Sequence, residues 1–254
     1  MNSILFIAKK EFMDNFRNYW ILSLSIILAA LSLIASYFSS TGFGFQDFET
    51  TIRIISVPVQ FFIPIISLML GYGTIVGEIE RGSMSSLLTH PVTRFDVIIG
   101  KFIGLGSVIA TIVVFGFGIS GIIIAINIPN PNIGEYLLFI FTSILLGLVF
   151  MSLALLFSTL FKKRSSSMAG AILLWFFFII IWQFIMIGIL FAALQNFESS
   201  TPDWYYNIQL FNPAISSSFI GSGLIEDYII IFSLITWCVI PILLSYIIFR
   251  KKDV

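Results

Sequence analysis

Charge is what this sequence lacks. Only 10% of its 254 residues are Asp, Glu, Lys or Arg, while 58% are hydrophobic. A soluble domain carries about 25% charged residues, so this chain has too little charge to cover a water-facing surface. That excludes a soluble enzyme, a nucleic-acid binder and a disordered chain. Cysteine is nearly absent: the lone Cys238 excludes an internal disulfide and any CxxC site. It lies in an apolar run and reads as a small packing residue. The single histidine, His90, has no second histidine or cysteine with which to share a metal, so no metal site is expected. Neither a GxxxxGKS/T phosphate loop nor HExxH occurs, so the chain is not expected to bind a cofactor or to hydrolyse ATP itself.

What the sequence has is long apolar runs. A helix needs about 20 apolar residues to cross the hydrocarbon core of a bilayer. Six runs qualify, at 20–39, 54–77, 102–126, 136–161, 165–194 and 228–249, and none contains Asp, Glu, Lys, Arg or His. Strand-like alternation is missing, and the backbone must satisfy its own polar groups in lipid, so each run is expected to be a helix. Pro58 and Pro64 in the second run and Pro241 in the sixth are expected to kink theirs. The first run is too long for the apolar part of a leader peptide and is expected to stay as an anchor. The fold class is therefore an all-α integral membrane protein, a single transmembrane domain over 1–254.

Basic residues orient it. Lys9, Lys10 and Arg17 precede the first run; Arg81, Arg94 and Lys101 lie between the second and third. Lys162, Lys163 and Arg164 lie between the fourth and fifth, and Arg250, Lys251 and Lys252 follow the sixth. Only Arg53 falls on the other side, which carries Asp47, Glu49, Glu135, Glu198, Asp203, Glu226 and Asp227. The positive-inside rule then places both termini in the cytoplasm, with the chain in the plasma membrane. Residues 1–18 are expected to form an interfacial amphipathic helix, with Leu5, Ala8, Phe12 and Phe16 on one face and Lys10, Asp14 and Arg17 opposite. The loop 195–227, rich in aromatics, is expected to fold onto or dip into the extracytoplasmic surface.

The segment between the second and third runs is the most informative. Ser83 can cap a short helix, at about 79–91, on which Met84, Leu87 and Leu88 share an apolar face and which Pro91 stops. Thr93 and Asp96 form a capping-box pattern for the next helix. Two small-residue pairs flank this insert, Gly73–Gly77 and Gly100–Gly104, and their spacing allows close helix approach, here expected between the second and third runs. Because the runs hold no ionisable group, ion-coupled transport is disfavoured. Energy for transport would have to come from a cytoplasmic partner pressing on this insert.

The sequence here resembles the permease subunits of type-2 ATP-binding-cassette (ABC) exporters, nearest to those that serve nitrous-oxide-reductase maturation. The residues that carry the resemblance are Lys10-Glu11 and Arg17 before the first run, Glu78-x-Glu80-Arg81-Gly82-Ser83 after the second, then Leu87-Leu88, Pro91-Val92-x-Arg94 and Gly100-Lys101. The resemblance implies two permeases, identical or homologous, each with a cytoplasmic coupling helix seated in one of two copies of a separate ABC ATPase. ATP and magnesium would bind on that partner. Glu78, Glu80, Arg81, Gly82, Ser83, Leu87, Leu88, Pro91 and Arg94 would then form the coupling region. Nucleic acid has no place in this scheme. Two other readings stay open on the residues alone: a membrane immunity or scaffold protein, and a membrane-embedded enzyme with only hydroxyls, Gln183 and Asn127 to work with.

Overall fold

A computed structural model describes residues 3–16, 19–38, 44–45, 47–84, 92–128, 131–193 and 202–252. The described residues are helical or lie in turns between helices. The elements are α1 (Ser3–Phe16), α2 (Tyr19–Tyr37), α3 (Phe48–Gly71), α4 (Val76–Glu80), α5 (Arg94–Asn127) and α6 (Ile133–Leu160). They continue with α7 (Arg164–Phe176), a π-helical turn (Phe177–Ile181), α8 (Trp182–Ala193), α9 (Asp203–Gln209), α10 (Pro213–Ser216), a 3-10 turn (Ser217–Phe219) and α11 (Asp227–Lys251).

Five stretches are long and apolar enough to cross a membrane: Phe48–Glu80, Arg94–Asn127, Ile133–Leu160, Arg164–Ala193 and Asp227–Lys251. Leu22–Tyr37, within the first apolar run, is a shorter apolar helix. The helix α6 runs through the middle of the bundle, packed against α3, α5 and α11, and its Leu146, Val149, Phe150, Met151, Ala154 and Leu155 are buried. The helices around it turn large apolar side chains outward, including Ile26, Phe115, Leu173, Phe184 and Leu243. A surface of that kind is stable in lipid and not in water.

Side chains cap the starts of α3 and α5. Asp47 caps α3 by accepting the backbone N–H of Thr50 at 2.8 Å. At α5 the expected capping box is present: Thr93 Oγ1 accepts from Asp96 N, and the Asp96 carboxylate accepts from Thr93 N. The box starts α5 at Arg94, ahead of the apolar run. Pro58, Pro64 and Pro241 all lie inside helices.

Two helix interruptions depart from the sequence reading. The apolar run 54–77 is not one helix: α3 ends at Gly71, residues 72–75 turn, and a separate α4 follows. Side chains of neighbouring helices stabilise the break by taking up the backbone groups it frees. Ser158 Oγ accepts from the N–H of Ile75 (2.9 Å) and Val76 (3.0 Å), and Ser167 Oγ donates to the Tyr72 carbonyl at 2.7 Å. The run 165–194 is likewise interrupted by its π-helical turn. There the Phe178 carbonyl accepts from Asn212 Nδ2 at 2.6 Å, while Asn212 Oδ1 caps α10. Asn212, Pro213, Ala214, Ile215 and Ser216 are buried, so this part of the loop packs into the bundle.

Candidate functional site

The end of the bundle that carries Lys101 is where charged side chains converge. The elbow formed by the turn at 72–75, α4 and the turn at Arg81–Gly82 leaves α3 there. Gly82, with φ +70°, has the left-handed conformation that glycine adopts most easily and directly follows Arg81, the C-cap of α4. Ser83 and Met84 are helical again. Ser83 Oγ donates back to the Glu78 carbonyl at 3.2 Å, and the N–H groups that its expected cap would serve lie outside the described residues. Leu87, Leu88, His90 and Pro91, assigned to the short helix by the sequence, lie outside the described residues.

Three anchors hold the elbow. The first is the pair of N–H groups on Ser158. The second is Glu80, whose Oε1 accepts the backbone N–H of Arg164 at 2.9 Å and so occupies the N-terminus of α7, where an anion is favoured. Arg164 in turn reaches the Tyr72 hydroxyl at 3.2 Å and lies over its ring. The third is an ion triad. Lys101, in α5, is 1% exposed, and its ammonium donates to Glu11 of α1 at 2.6 Å and to Glu78 of α4 at 2.7 Å. The other oxygen of Glu78 is buried with no hydrogen-bond partner among the described residues. An open polar cleft of about 500 Å³ runs alongside, lined by Lys10, Asp14, Tyr72, Arg81, Lys101 and Arg164, among others. Arg81 Nε bonds to the Gly77 carbonyl at 2.9 Å, and the Arg81 side chain stays exposed.

Two further cations close helix ends near this site. Arg94 donates to the carbonyls of Phe249, Arg250 (3.1 Å) and Lys252 (2.6 Å), closing the C-terminus of α11. Lys252 donates to Thr159 (2.8 Å) and Phe161 (2.6 Å), closing that of α6. Burial, with Lys162 nearby, lowers the Lys252 pKa below its usual 10.5. Each cation here satisfies carbonyls that a helix end would leave bare.

The glycine pairs do not pack spans two and three on each other. A β-carbon on Gly100 would fall 2.7 Å from Ile7 Cβ, and one on Gly104 would fall 2.6 Å from the Ala8 carbonyl oxygen. Both glycines therefore press α5 against α1. Gly73 sits in the elbow's turn beside the Arg164 side chain, and Gly77 lies near Arg164 and Arg81. The α1 face is also rotated from expectation: Ile7, Ala8 and Glu11 are buried against α5, while Leu5, Phe6, Met13 and Phe16 are exposed. Glu11 and Lys101 were missed as a site because each reads as an ordinary interfacial charge. The available signal was an acid on the packed face of α1 and a lysine between two close-approach glycines.

Among the described residues no cluster of His, Cys, Asp and Glu could hold a metal. The arrangement offers a charged, multiply anchored elbow suited to mechanical contact. Comparison with known proteins identifies the family. The model of the ABC-2 family transporter protein matches residues 5–254. The chain is 30% identical to the probable ABC transporter permease protein NosY of Stutzerimonas stutzeri, over 99% of each chain. It is 33% identical to the NosY of Pseudomonas aeruginosa, over 82% of this chain and 77% of that one. The probable multidrug ABC transporter permease YbhR of Escherichia coli K12 is 27% identical over 55% of this chain and 34% of its own.

Proposed function

The chain belongs to the ABC-2 family of transporter proteins, as a multi-pass membrane permease, and from that premise we propose that it is the membrane subunit of an ABC exporter driven by a separate cytoplasmic ATPase. Two copies of that ATPase, carrying ATP and magnesium, would act on two permeases, this chain paired with itself or with a homologue. The chain itself would be non-catalytic. Six spans would place both termini and the elbow in the cytoplasm, with the five long stretches joined by α2 as the shortest span. The distribution of Lys and Arg around the apolar runs supports that orientation in the plasma membrane.

The observation that carries the proposal is the elbow. A segment meant to receive force from a partner must be exposed at its tip and fixed at its base. Arg81 and Gly82 are exposed, while the base is held by Ser158, the α7 N-terminus and Lys101. Force on the tip is thereby delivered to α5, α6 and α7 together.

The test is to isolate the full chain from its native membrane and identify what accompanies it. An ABC ATPase without membrane spans is expected in stoichiometric amount. Arg81→Ala should lower the ATP turnover of the complex while leaving the amount of permease in the membrane unchanged. A chain that carries no ATPase overturns the proposal in favour of a scaffold role.

A further inference from the structure

We infer that the Glu11–Lys101–Glu78 triad is the joint through which movement of the elbow is passed to α1, so that Lys101 is a positioning residue for coupling. The inference rests on the permease reading above and names the route by which that elbow acts.

Three elements meet at one ammonium. Glu78 stands on α4, Lys101 on α5 and Glu11 on α1, at 2.7 Å and 2.6 Å from the lysine nitrogen. The elbow's other anchors lead to α6 and α7. Among the described residues, Lys101 is the only ionic path from α4 to α1. The triad cannot open freely. Lys101 is 1% exposed, and drawing either carboxylate away from its ammonium breaks a short charge-assisted hydrogen bond where water does not replace it. When Glu78 moves, Lys101 and Glu11 therefore move with it. The backbone contacts on either side add stiffness, since Gly100 and Gly104 let α1 lie directly on α5 next to the lysine.

The recipient of the motion is distinctive. The outward side of α1 exposes Leu5, Phe6, Met13 and Phe16 together with Lys9 and Lys10. Apolar and basic side chains mixed on one face suit the headgroup boundary of an anionic lipid surface. The joint thus links the elbow to a helix lying at the membrane surface. A contiguous set of packed and ion-paired groups with a single charged centre is a physical route for coupling, and it can be cut at one point.

The experiment uses the full chain with its co-isolated ATPase in lipid nanodiscs. Spin labels are placed at Lys9→Cys on α1 and Lys251→Cys on α11, in a Cys238→Ala background. The distance between them is measured without nucleotide and with ATP. In the parent, ATP is expected to shift the distance distribution. Glu11→Gln, which keeps side-chain shape and leaves the Lys101–Glu78 pair in place, is expected to reduce that shift to a third or less, with ATPase capture and nucleotide binding unchanged. Lys101→Arg should retain most of the shift, and Glu49→Gln all of it. A Glu11→Gln variant that shifts as far as the parent overturns the inference, as does a parent that captures ATPase and shows no shift. A parent that captures no ATPase overturns the permease reading itself. Should a variant fold poorly, Glu78→Gln supplies the same cut from the elbow side, with the same expected loss.

Discussion

The two ends of the bundle use the same ionic chemistry to different effect. At one end Lys101 meets Glu11 and Glu78 at 2.6 and 2.7 Å, with its side chain 1% exposed. At the other end Arg53 meets Glu49 at 2.8 Å, one helical turn apart on α3, with the side chains 77% and 70% exposed. The distances are nearly equal, so burial decides what each pair does. The exposed pair is solvated and screened, and it decorates a helix that would stand without it. The buried triad joins three separate elements through one lysine, and loss of that lysine strands two carboxylates. A short ion-pair distance is thus poor evidence of mechanical importance; the number of elements that meet in the dark is better evidence.

Substitution can break that contrast. Lys101→Met should have the largest effect, leaving Glu11 and Glu78 buried and facing each other; breaking a buried ion pair costs about 3–5 kcal/mol. A fall in the thermal midpoint of the detergent-solubilised chain would report it, and an unchanged midpoint would dissolve the distinction between the two ends. Gly104→Ala sharpens it, because the new methyl would meet the Ala8 carbonyl at 2.6 Å and push α1 away from α5. Overpacking of this kind costs about 1–3 kcal/mol, and faster proteolysis of α1 should accompany it.

Asp47→Ala tests the opposite end without touching the triad. Losing the α3 cap should cost about 1 kcal/mol. Hydrogen bonds from Thr50 hold the Asp47 carboxyl below its usual 3.8. The folded form is therefore favoured above the ordinary pKa, and the contribution is lost as pH falls through the depressed value. The gap in thermal midpoint between wild type and Asp47→Ala should accordingly close below about pH 4. Arg53→Ala should matter least, at under about 0.5 kcal/mol, and a midpoint shift as large as that of Lys101→Met would put the weight at the wrong end.

Much of the helical architecture was legible in the sequence because lipid imposes length and apolarity on any crossing helix, and those are local properties. The α5 capping box was legible for the same reason: Thr93 and Asp96 lie three residues apart. The break after Gly71 was not, since the groups that stabilise it, Ser158 and Ser167, lie far along the chain and look like ordinary small residues of their own helices. The π-helical turn is in the same position, its Phe178 carbonyl satisfied by Asn212 from a distant loop. At the candidate site, Glu78, Glu80, Arg81 and Arg94 stood out as charges in an apolar chain, and the structure gives each a partner. Their partners were hidden. Lys101 and Glu11 are separated by ninety residues, and pairing between them follows only once α1 is known to lie along α5.

The proposal that the elbow receives a partner's force can be tested by hydrogen exchange of the chain, alone and in complex with the proposed ATPase. Slower exchange should concentrate in peptides covering 72–94, with a smaller decrease across α1. Protection confined to the Asp47 end, or unchanged exchange across 72–94 in a complex that nonetheless turns over ATP, would contradict it.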